Sequence, residues 1–180
     1  MHFTMVQDSL AAIGFLLLML ADFLRVKGKK GVPVFQAVGY LTIGAALGLL
    51  AACRGTNPSG TLFSILAILT ALVSGGLLLW SVFFELALAG RKGKIKPGET
   101  YCGGSYGLCR HPGFWWFCLL AASIGVLRGF WENFFTIFLM IGLDLLLIFI
   151  QDRYTFPKVF RGYDEYKKSV PFLFPRMKKG

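Results

Sequence analysis

Five long apolar runs constrain this chain more than any other feature. They extend from about Val6 to Leu24, Val34 to Ala52, Leu62 to Leu88, Phe114 to Leu127 and Phe130 to Ile150, with the cations held in the gaps and the tail. About 20 apolar residues match the hydrocarbon thickness of a bilayer, and within lipid only a helix or a closed barrel satisfies its own backbone. Only 16% of residues are charged and 56% are hydrophobic, against about 25% charged in soluble domains. The expected fold is therefore an all-α membrane protein with about five transmembrane helices. The third run is long enough to tilt or project, and the fourth is short unless the loop before it dips inward. Only Arg128 and Gly129 separate runs four and five, which predicts a tight antiparallel hairpin. Gly39, Gly44 and Gly48 in the second run are expected to admit a close helix neighbour.

Charge sets the expected orientation. Of 19 Lys and Arg, only Arg54 and Arg128 occupy the second and fourth gaps. The positive-inside rule then puts the N-terminus outside and the C-terminus in the cytoplasm. The loop Gly104–Pro112 and the tail from Gln151 to Gly180 share that cytoplasmic face. The net charge of +10 is spread between apolar runs and forms no soluble basic face, which argues for membrane lipids as partners and against nucleic acid. The first run lacks a basic start and a small-residue cleavage site, so it is read as a retained helix. Localisation is expected to be multi-pass, in the cell membrane of a prokaryote or the endoplasmic reticulum of a eukaryote. The chain divides into a three-helix membrane region, 1–96, and a core, 97–180, within one domain.

Several chemistries are excluded by what is missing. Cys53, Cys102, Cys109 and Cys118 form no disulfide framework. The six residues between Cys102 and Cys109 fit no zinc spacing, and no His-rich cluster exists, so no metal is expected. No P-loop and no Gly-x-Gly-x-x-Gly after a strand is present.

What remains is the polar loop Gly104-Ser105-Tyr106-Gly107-Leu108-Cys109-Arg110-His111-Pro112. Arg110 is a permanent cation, His111 titrates near neutrality, and Pro112 suits the first turn of a helix. Singly, each has a plainer role: His111 as an interfacial side chain, Arg110 as a lipid-phosphate anchor, and Tyr106, Trp115 and Trp116 as an aromatic belt. In the tail, Phe156, Val159, Phe160, Tyr163 and Tyr166 recur as on one side of a helix. Val170 to Pro175 reads as an extended strap. Within the spans, Glu85 and Asp144 serve either helix packing or function. Asp144, Ile148 and Asp152 would share a face, bringing two carboxylates toward the cytoplasmic side.

Together, these blocks resemble one superfamily of membrane methyltransferases, which includes isoprenylcysteine carboxyl methyltransferases and phospholipid methyltransferases. Gly104 to Pro112 is similar to its Gly-x-Tyr-x-x-x-Arg-His-Pro signature. Asp152, Tyr163-Asp164-Glu165-Tyr166, Lys167-Lys168 and Val170-Pro171 follow the order of its second block. The likeness covers roughly Pro97 to Pro175. It implies S-adenosyl-L-methionine as cofactor, held by Gly104, Tyr106, Arg110, His111, Pro112, Asp152, Tyr163 and Tyr166. It also implies a lipophilic or prenylated acceptor entering from the bilayer, either an isoprenylcysteine carboxylate or a lipid amine or thiol. The family's paired glutamates are Gln151-Asp152 here, and Pro157 intrudes in the next helix. Leu145 to Ile150 lacks the arginine that carboxyl methyltransferases carry there, and Arg153 is the nearest substitute. An amine or thiol acceptor needs proton removal, for which His111 and Asp152 are the available bases. His111, Asp152 and Arg153 are thus the expected catalytic residues. The alternatives are a membrane NADPH-dependent reductase of the sterol-reductase type and a non-enzymatic membrane protein.

Overall fold

The computed structural model describes residues 2–52 and 60–174. Cys53, Arg54 and the tail from Pro175 onward lie outside them. The protein is 79% helical, with no strand among the described residues. Four helices are long and apolar enough to cross a membrane: Met5–Val26, Val32–Ala52, Thr61–Arg91 and Phe134–Val159. A fifth apolar helix, Pro112–Arg128, has 17 residues.

Helix α1 (His2–Val26) packs along α2 (Val32–Ala52). Their crossing is close because of glycine. A Cβ on Gly39 would stand 2.8 Å from Leu18 Cδ2 and 3.0 Å from the Gly14 carbonyl. Gly44 and Gly48 have nothing within 4 Å of such a Cβ, so of the three expected contact glycines only Gly39 is one. Gly14, its partner across the crossing, has the same role. The core lies where Phe15 and Leu18 of α1 and Ile43 and Ala46 of α2 meet Phe117 of α5 (Pro112–Arg128) and Met140 and Leu147 of α6 (Phe134–Ile150). Helix α3 (Thr61–Leu79) packs on α5. Its Leu62, Phe63, Leu72 and Val73 are more than half exposed, as a face bathed in lipid tails would be.

Two wide π-helical turns extend the spans. Trp80–Phe84 joins α3 to α4 (Glu85–Arg91), and the whole segment of 31 residues would be about 46 Å long, well beyond a hydrocarbon core of roughly 30 Å. Gln151–Thr155 joins α6 to α7 (Phe156–Val159). Pro157 has no N–H to continue the ladder, and the wide turn directly before it takes up the misfit.

Two sequence expectations need correction. The fifth run does not begin its helix at Phe130. Residues 129–133 form the connection, closed by the Asn133 side chain, which donates to the carbonyls of Arg128 (3.1 Å) and Gly129 (2.9 Å). Phe130 packs with Ala121 and Ile137 instead of extending α6. The aromatic stripe of the tail is not one helix either. The chain turns extended at Phe160 and left-handed at Gly162 (φ +76°) before α8 (Tyr163–Ser169). The stripe still packs together, with Tyr163, Tyr166 and Val170 buried against Phe156 and Phe160.

Candidate functional site

The loop and the tail run side by side in the same direction and are tied at successive points. Arg161 N–H donates to the Gly98 carbonyl at 2.7 Å, and Thr100 N–H donates back to the Arg161 carbonyl at 3.1 Å. Farther along, the Tyr166 hydroxyl donates to the Tyr106 carbonyl at 2.6 Å. Arg110 N–H donates to the Pro171 carbonyl at 3.0 Å. Last, Trp115 Nε1–H donates to the Leu173 carbonyl at 2.8 Å. Backbone groups without secondary structure need such partners once buried, and the strap supplies them.

Asp152 is the centre of this seam. Its carboxylate accepts from Arg110 Nη2 at 3.1 Å and from the Tyr163 hydroxyl at 2.7 Å. Arg110 Nε lies 2.8 Å from Oδ1, but its N–H is poorly aligned, so this contact is an ion pair and not a directed hydrogen bond. The Arg110 and Asp152 side chains are only 10% and 4% exposed. Arg110 Nη1 also donates to the Lys167 carbonyl at 3.1 Å. Such a pair is held by geometry: either charge alone would be expensive to bury. The wide turn Gln151–Thr155 begins at this point of the chain and buries Asp152.

His111 lies between two rings, stacked on Phe156 (5.8 Å, 12°) and edge-on to Phe172 (5.2 Å, 73°). Its Nε2 is buried without a hydrogen-bond partner among the described residues, 3.6 Å from Asp152 Oδ1. Burial pushes the imidazole below its ordinary value against the pull of Asp152, so His111 is neutral at neutral pH. Burial pushes the Tyr106, Tyr163 and Tyr166 hydroxyls up, with Asp152 adding to the shift at Tyr163. All three phenols are donors at neutral pH. Pro112 opens α5 at a position where its missing N–H costs nothing.

Of the expected site residues, Tyr106, Arg110, His111, Pro112, Asp152, Tyr163 and Tyr166 come together. Gly104 stands at the edge of the group, beside Glu85. Arg153 does not join it. It is exposed, with its guanidinium 5.5 Å from the Phe149 ring. Asp144 stays apart as well, within electrostatic reach of Cys118 and Tyr40. Three contributors were not legible as such. Asp22 of α1 accepts from Gln151 Nε2 at 2.8 Å, Glu85 holds Ser105, and Phe172 covers His111. The sign in the sequence for the first two is an acidic residue near the C-terminal end of an apolar run. Phe172 carried no sign beyond lying in the strap. Among the described residues no His, Cys, Asp or Glu group gathers as a metal site would need.

The group combines a guanidinium, a carboxylate, an imidazole, three phenols and two phenylalanine rings. The phenol protons are given within the protein, Tyr106 to the Ser81 carbonyl, Tyr163 to Asp152 and Tyr166 to the Tyr106 carbonyl. A ligand would therefore take over one of these bonds or meet the phenol oxygens as acceptors, while His111 Nε2 has no hydrogen-bond partner among the described residues. Compared with protein-family models, curated proteins and solved structures, the chain matches none.

Proposed function

We propose that this protein is an integral membrane S-adenosyl-L-methionine-dependent methyltransferase with a lipophilic acceptor. The observation that carries the reading is the convergence on Asp152. Arg110 and His111 reach it from the loop and Tyr163 from the tail, and these belong to the two separate sequence blocks that resemble the superfamily. When bound, S-adenosyl-L-methionine supplies an activated methyl group. Gly104, Tyr106, Arg110, His111, Pro112, Asp152, Tyr163 and Tyr166 would hold it. Asp152 and the rings of Phe156 and Phe172 suit a positive centre, and Arg110 suits a carboxylate. A displacement of this kind depends on alignment and exclusion of water more than on acid–base work. Neutral His111 is the chain's proton acceptor for an amine or thiol.

In this reading α5 is a fifth, short span, the N-terminus is outside, and the loop and tail face the cytoplasm. The acceptor enters from the bilayer, because the helices present apolar faces there. Calorimetry of the detergent-solubilised protein with S-adenosylhomocysteine and, separately, NADPH tests the proposal. Binding of S-adenosylhomocysteine alone is expected. Binding of NADPH alone would overturn it in favour of a reductase, and binding of neither would leave a non-enzymatic membrane protein.

A further inference from the structure

Glu85 lies outside the Asp152 group, yet it is 6% exposed at the end of the third span. A carboxylate buried on such a helix is costly unless donors meet its oxygens. One loop residue meets both of them. Ser105 N–H donates to Oε1 at 2.8 Å, and the Ser105 hydroxyl donates to Oε2. One turn earlier the same helix opens into the wide turn Trp80–Phe84, and the Tyr106 hydroxyl donates to the Ser81 carbonyl at 3.0 Å. Wide turns of this kind are rare and recur at functional positions. Gly104 completes the fit: its φ is +54°, and a Cβ there would collide with the Glu85 carboxylate.

Three consecutive loop residues, Gly104, Ser105 and Tyr106, are therefore shaped to one helix end. The next tie leads from this segment to the tail, since the Tyr106 carbonyl receives the Tyr166 hydroxyl. Glu85 makes no hydrogen bond to Arg110, His111 or Asp152 among the described residues. It acts on them through the loop.

We propose that Glu85 is the positioning residue of this site. It fixes the Ser105–Tyr106 segment on the third span, so that the tail closes on a preset loop. The site then extends into the N-terminal half of the chain and is not confined to residues 97–180. The role rests on the cofactor-binding reading only for what the closed site holds, not for the coupling itself.

The test is hydrogen exchange on the full-length, detergent-solubilised protein without ligand, joined to calorimetry with S-adenosylhomocysteine. Glu85→Ala is expected to speed exchange about tenfold in residues 104–107 and also in 163–170, with α1 and α2 unchanged. Its affinity for S-adenosylhomocysteine is expected to fall about tenfold, the scale of a lost charged hydrogen bond. Glu85→Gln keeps an oxygen for the Ser105 amide and an amide for its hydroxyl, so it should rescue both readouts. Faster exchange confined to 104–107, or spread equally over α1 and α2, would overturn the proposal. So would unaltered affinity in Glu85→Ala when the wild-type protein binds. If exchange in 163–170 responds as expected but the wild-type protein binds no S-adenosylhomocysteine, the coupling stands and the methyltransferase reading falls.

Discussion

The Tyr166 hydroxyl donates a 2.6 Å hydrogen bond to the backbone carbonyl of Tyr106, 60 residues earlier in the chain. It is the middle tie between loop and tail, flanked by the Arg161 turn on one side and the Pro171 strap on the other. The Tyr166 ring is 4% exposed and packs on Tyr163 at 5.6 Å. Tyr166→Phe keeps that packing and removes only the donor. It should cost about 1 kcal/mol in thermal stability and weaken S-adenosylhomocysteine binding. Differential scanning fluorimetry and calorimetry on the same preparation measure both.

The Arg110–Asp152 pair predicts a strongly non-additive double-mutant cycle. Each single change, Arg110→Met or Asp152→Leu, strands a partner that is at most 10% exposed. Each should destabilise by about 3 kcal/mol or more, whereas the double substitution should cost much less than their sum. Thermal unfolding of the four proteins in one detergent decides it, and additive losses would mean that the pair is not coupled.

His111 gives the protein an acid limit. Burial holds its folded value below the ordinary 6.5, so between those two values the unfolded chain binds a proton that the folded chain does not. Stability contributed by neutral His111 is complete above about pH 6.5 and is lost as pH falls toward the depressed value, with a slope of at most about 1.4 kcal/mol per pH unit. His111→Gln should flatten this part of the profile. Melting temperatures from pH 5 to 7.5 check it, and an equally steep profile in the variant would assign the loss to another group.

The glycines of α2 should separate cleanly. Gly39→Ala sets a methyl 2.8 Å from Leu18 Cδ2 and 3.0 Å from a backbone oxygen, and should cost about 1–3 kcal/mol. Gly44→Ala and Gly48→Ala face open space and should be neutral or slightly stabilising, since alanine is the better helix former. Thermal stability in detergent ranks the three.

The apolar runs, the charge gaps and the two polar blocks are properties of the sequence alone. They determine that the chain is helical and suited to a bilayer, because unbroken apolar residues leave no other way to satisfy the backbone in lipid. The resemblance of the two polar blocks to the methyltransferase superfamily is what singles out Tyr106, Arg110, His111, Asp152, Tyr163 and Tyr166 in the sequence. Tertiary structure decided the rest. Asp152 meets Arg110, Arg153 beside it is left exposed, and Asp144, about two turns earlier on the same helix, stays apart. Asp22 and Glu85, from helices remote in sequence, hold Gln151 and Ser105 next to the site, and periodicity carries no information about such partners. Which buried polar groups pair is settled by how the spans pack, since a carboxylate out of water takes whichever donors the packing brings within reach.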